Sequence, residues 1–75
     1  MHSIILSIRQ LKSTISDILK NVQFASVDAG AFQGFLLEIS RLDKANAVNS
    51  PEMFAAKCGF KIEFRDHQSI VRFSK

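Results

Sequence analysis

The chain has no tryptophan and no tyrosine, and only one cysteine, one proline and three glycines. A single cysteine excludes an internal disulfide. Cys58, with His2 and His67 at opposite ends of the sequence, forms no zinc-type ligand spacing, so neither a metal nor another cofactor is expected. Without Trp and Tyr, two of the residue types that most often anchor interfaces are missing; all seven aromatics are phenylalanine. No Gly-x-Ser-x-Gly, Gly-rich phosphate loop or His-Glu-x-x-His occurs, and the acids are scattered singly. An enzyme needs a constellation of such groups. A non-catalytic protein with no small-molecule substrate is therefore expected. No apolar run approaches the roughly 20 residues of a membrane span. The opening segment has no basic residue before its apolar part and is interrupted by Arg9, Gln10 and Lys12, so no secretory signal is expected either. The lone cysteine fits a reducing compartment, and a cytoplasmic location is expected.

What is present is an ordinary globular balance. Of 75 residues, 47% are apolar and 23% charged, which suits a single small domain over residues 1–75. A domain of about 60 residues buries only about 60% of the surface its unfolded chain exposes. Small domains often need a disulfide, a metal or a partner chain. With the first two excluded, a second copy or another protein is the expected source of added stability.

The first segment carries the clearest pattern. Ile4, Ile8, Leu11, Ile15, Ile18 and Val22 recur at spacings of four and three, widened by Ile5 and Leu19. Ser7, Gln10, Thr14, Asp17 and Asn21 form the opposite, polar face. The spacing predicts an amphipathic helix over residues 3–22. Its seam has two readings, which can coexist: it faces the protein's own core, or it meets a second copy as in a coiled coil. On the second reading Ile4, Ile8, Leu11, Ile15 and Ile18 are the interface.

Residues 22–27 alternate weakly and are compatible with a short strand, or with a loop whose Phe24 and Val27 plug the core. Asp28 is suited to cap a helix. Phe32, Phe35, Leu36, Ile39 and Leu42 then mark a second amphipathic helix over residues 28–43. Gly30 and Gly34 fall on one side of it, where either a frayed first turn or a close backbone approach would accommodate them. Residues 43–49 show no apolar period. Ser50-Pro51-Glu52 is a helix start, with serine as cap and proline at the first helical position. A short third helix over residues 51–58 ends at Gly59, the residue suited to a left-handed stop. Phe60, Ile62 and Phe64 alternate with Lys61, Glu63 and Arg65; after Asp66-His67-Gln68-Ser69, Val71 and Phe73 alternate with Arg72 and Ser74. That is an antiparallel hairpin. The fold class expected is α+β: two amphipathic helices, a short third helix and a C-terminal β-hairpin.

Net charge is +3, with a pI of about 9.4. Residues 57–75 carry Lys57, Lys61, Arg65, Arg72 and Lys75 against Glu63 and Asp66, while residues 1–56 balance to zero. On a strand the Phe side chains and the charges point to opposite faces, so Phe60 and Phe64 are read as core rather than as a stacking platform. Cys58 near a helix C-terminus is read as a small apolar residue, and His67 as a solvated turn residue.

Helix, short strand, helix, helix, hairpin resembles the element order of a winged helix-turn-helix domain. Phe54-Ala55-Ala56-Lys57-Cys58-Gly59-Phe60 is also loosely similar to a helix-turn-helix core. The resemblance implies a third helix entering the major groove and a wing at the 65–70 turn. It also implies phosphate contacts from Lys57, Lys61, Arg65, Arg72 and Lys75. Against it, the third helix offers base edges only Glu52 and Lys57, and the turn bears Asp66. Two functions are thus expected from the sequence. The first is a small regulatory or adaptor protein working through protein contacts as a homodimer. The alternative is a DNA-binding regulator using the basic hairpin.

Overall fold

The computed structural model describes residues 7–75. The order is α1 (Ile8–Leu19), β1 (Ala25–Asp28), α2 (Ala29–Leu42), a 3-10 turn (Lys44–Asn46), α3 (Pro51–Cys58), β2 (Lys61–Arg65) and β3 (Ile70–Ser74). The fold is α+β, with three α-helices and one antiparallel sheet ordered β1-β3-β2.

Local chemistry accounts for the helix ends. The Ser7 hydroxyl accepts from the Gln10 N–H, Asp28 from Ala31, and Ser50 from Met53. Each satisfies an N–H that the first turn leaves without an intrahelical partner. Pro51 opens α3, and Gly59 closes it at φ +79°, a conformation that costs glycine little. The start of the first predicted helix, residues 3–6, lies outside the described residues. Its end differs from expectation: α1 stops at Leu19 rather than continuing to residue 22. There the Lys20 N–H donates to the Asp17 carbonyl, and the Asn21 and Val22 N–H groups to the Ile18 carbonyl, closing the last turn before β1.

Pairing settles the ambiguity of residues 22–27. The strand covers Ala25–Asp28, with Ala25 opposite Phe73 and Val27 opposite Val71. Ala25 and Val27 therefore point inward, and Phe24 and Ser26 outward. Across the sheet, Ile62 aligns with Phe73, and Phe64 with Val71. The inner face thus presents Ala25, Val27, Ile62, Phe64, Val71 and Phe73 to the helices.

The core lies between that face and the helices. Ile8, Leu11, Ile15 and Leu19 enter from α1, Phe32, Leu36 and Ile39 from α2, and Phe54 and Ala55 from α3. Phe54 packs edge-on against Phe73 and Phe32, at ring-centroid distances of 5.7 and 5.5 Å. Such aromatic contacts add about 0.5–1.5 kcal/mol each beyond the area they bury.

Two features were not legible from the pattern. Val48, in the stretch without a period, is 1% exposed. The Ser40 hydroxyl donates to the Val48 carbonyl and accepts from the Val48 N–H, both at 3.0 Å. That pair of bonds draws the loop onto α2. Gly34 meets nothing within 4 Å where a Cβ would stand, so no close backbone approach explains it.

The β2–β3 turn is built without glycine. Asp66, His67 and Gln68 all have positive φ, at 52°, 57° and 68°. The Ser69 N–H and hydroxyl both donate to the Asp66 carbonyl. Left-handed residues of this kind each cost of order 1–3 kcal/mol and persist only where the surrounding structure holds them.

Candidate functional site

The helix-1 seam is mostly inside the protein. Ile8, Leu11 and Ile15 are 2%, 5% and 5% exposed. Their apolar surface packs in this chain's own core. Of the described interface candidates on α1, Ile18 is substantially exposed, at 45%; Ile4 lies outside the described residues. Val22 and Phe24, further along the chain, are also exposed.

The structure distributes the five cations of the tail over three places. Lys61 and Arg65 on β2 and Arg72 on β3 belong to the outer face of the sheet, where Ser26, Arg72 and Glu63 stand in one cross-strand row. Glu63 is the hub of that face. Its Oε1 accepts from Arg72 and, at 3.4 Å, from Arg65. The Arg72 hydrogen bond and charge, with a smaller contribution from Arg65, hold the Glu63 carboxyl below its usual range. The Arg72 guanidinium also lies 4.1 Å from the centre of the Phe24 ring, a cation–π contact worth about 0.5–1 kcal/mol at an exposed site. Two of the expected phosphate contacts are thus already engaged within the protein. Lys75 lines an open depression of about 560 Å³ at the α1–β1 connection, with Lys20, Val22 and Phe24.

Lys57 stands apart from the hairpin. It lines a groove of about 330 Å³ between α1 and α3, together with Ile8, Arg9, Lys12, Asn46 and Cys58. α1 brings Arg9 and Lys12 there on successive turns, and α3 brings Lys57 and Cys58 at its end. Asp43 braces the remaining wall. Its carboxylate accepts from the Ile8 N–H at 3.1 Å and from the Asn46 side-chain amide at 3.2 Å. This ties the 3-10 turn to the first turn of α1.

The electrostatics of this groove differ from those of the sheet face. Among the described residues, the ion pairs are Lys20–Asp17, Arg41–Glu38, Arg65–Glu63 and Arg72–Glu63. Arg9, Lys12 and Lys57 are in none of them. Arg9 and Lys12 are like charges three apart on one helix, a spacing that costs about 0.2–0.5 kcal/mol. Arg9 also occupies the first turn of α1, where the helix dipole is positive and an acidic residue would be favoured. Burial pushes the Cys58 thiol up from its ordinary value, while the charges of Lys12 and Lys57 act in the opposite direction. The net direction is upward, so the neighbouring cations do not activate the thiol.

Sequence reasoning singled out Lys57 but missed Arg9 and Lys12. Their partner in space is more than forty residues away along the chain, and residues 1–56 look electrically neutral when summed. The local signal was a pair of cations in the first turns of a helix without a first-turn acid. No group of three or more potential metal ligands occurs among the described residues, and no described helix is long and apolar enough to cross a membrane. Comparison with known proteins finds no matching family, no matching curated protein and no matching solved structure.

Proposed function

We propose that this protein is a non-catalytic module that binds duplex DNA in the manner of a winged helix. The observation that carries the reading is topological. β1, inserted between α1 and α2, pairs with β3 and not with β2, giving the order β1-β3-β2. The β2–β3 turn then projects as a wing, and α2 and α3 follow one another as a helix-turn-helix pair. The net charge of +3 supports attraction to a polyanion.

The exposed face of α3 carries Glu52, Met53, Ala56 and Lys57. That set has little capacity for bidentate base contacts. Binding is accordingly expected to rest on the phosphate backbone, with weak sequence preference and steep salt dependence. The test is a titration of a random duplex, followed by fluorescence anisotropy at low and near-physiological salt. Affinity falling sharply with salt is expected. No binding at low salt overturns the reading.

A second reading, contact with another protein, draws on the exposed Ile18, Val22 and Phe24, which are 45%, 49% and 47% exposed. On that reading the contact surface is the α1–β1 connection, and the helix seam stays in the core. Light scattering distinguishes it where the partner is a second copy: a dimer mass that Val22→Glu converts to a monomer supports self-association there.

A further inference from the structure

We infer that the groove between α1 and α3 is a phosphate-binding site, with Arg9, Lys12 and Lys57 as its contacting cations. The inference rests on the DNA-binding reading for its natural ligand, a backbone phosphodiester. The chemistry it requires is only that of a phosphate oxyanion.

Two observations converge on it. The cations come from two different helices and line one concave space, so they are gathered by the tertiary fold and not scattered along one exposed face. None of the three has an ion-pair partner among the described residues. Asp43, at the first turn of α1, accepts from the Ile8 N–H and the Asn46 amide and is in no ion pair with these cations. An oxyanion placed in the groove meets three charged donors. The hairpin offers a poorer seat. Its Arg65 and Arg72 are both held by Glu63.

Cys58 supplies a native reporter. It is the single cysteine and it lines the groove, so an occupant must hinder a reagent approaching its sulfur. The experiment measures the rate of Cys58 alkylation by iodoacetamide, an uncharged reagent, on the whole chain. One arm adds a random duplex at low salt; the other adds inorganic phosphate. In parallel, duplex affinity is compared between R9Q/K12Q/K57Q and K61Q/R65Q/K75Q, with circular dichroism to confirm that both are folded. Should the first triple variant not fold, Lys12→Gln alone replaces it.

The expected result is a several-fold slowing of alkylation by duplex. The groove variant should lose at least tenfold in affinity, and the hairpin variant much less. Unchanged alkylation under saturating duplex overturns the inference, as does a larger loss in the hairpin variant. In either case duplex binding itself, and with it the DNA reading, still stands. If the unaltered protein binds no duplex, the DNA reading fails and the phosphate arm decides. Protection of Cys58 by inorganic phosphate, abolished in the groove variant, upholds an anion site whose ligand is a free phosphate. No protection overturns it.

Discussion

On the outer face of the sheet, Arg65 and Arg72 share Glu63, and Phe24 lies over Arg72. In the groove between α1 and α3, Arg9, Lys12 and Lys57 converge with no such acid, and the nearby Asp43 serves the backbone instead. The sheet face is closer to internally neutral, and its Glu63–Arg72 pair links β2 to β3. The groove keeps its charge unspent. Clustered basic residues are thus poor guides to an anion site when counted along the chain. What matters is whether the fold has already given each one a partner.

The comparison breaks most completely when the support of both regions is removed. Phe54 is fully buried and lies between Phe32, Phe60 and Phe73. Phe54→Ala should cost about 3–5 kcal/mol, a large share of the stability of so small a domain. Urea denaturation should show that loss, and α3, with Lys57, should lose its fixed place. A cost under about 1 kcal/mol would mean that α3 is not held by this aromatic cluster.

A smaller change separates the two regions. Phe24→Leu removes the cation–π contact with Arg72 and leaves the groove untouched. A loss of about 0.5–1 kcal/mol in thermal or urea unfolding is expected. The several-fold protection of Cys58 by ligand should be unaltered. Altered protection would show that the two regions are coupled.

The smallest expected effect concerns pH. Glu63 is held below its usual carboxylate range in the folded protein. Its contribution to stability is therefore complete at pH values above the ordinary carboxylate range. It is lost as pH falls through the folded-state value. Glu63→Gln should flatten the acid side of the stability profile slightly, and it should make Arg65 and Arg72 available to a polyanion. A steeper acid dependence in Glu63→Gln than in the unaltered chain would contradict the ion-pair assignment.

The elements themselves were largely legible. Ser50, Pro51 and Gly59 mark α3 by the physics of chain ends, and the structure places it at Pro51–Cys58. The period-two alternation of residues 60–65 and 70–74 survives as β2 and β3, with the phenylalanines inward. These signals are local: a cap, a left-handed stop and a side-chain alternation need only their near neighbours. Phe24 resisted such reading, because an exposed aromatic beside an inward Ala25 makes sense only once the Arg72 guanidinium stacks on it. Val48 resisted as well, because a single buried residue in a loop has no period.

By itself, then, the sequence determined the helices, the hairpin, the fold class and the absence of a disulfide, through patterns set by neighbouring residues. Only the tertiary structure decided which apolar seam was spent on the core, that β1 joins β3, which cations Glu63 claims, and that Arg9 and Lys12 meet Lys57. Each of these is a contact between residues far apart in the chain. Its energy depends on distance and burial, which no linear pattern records.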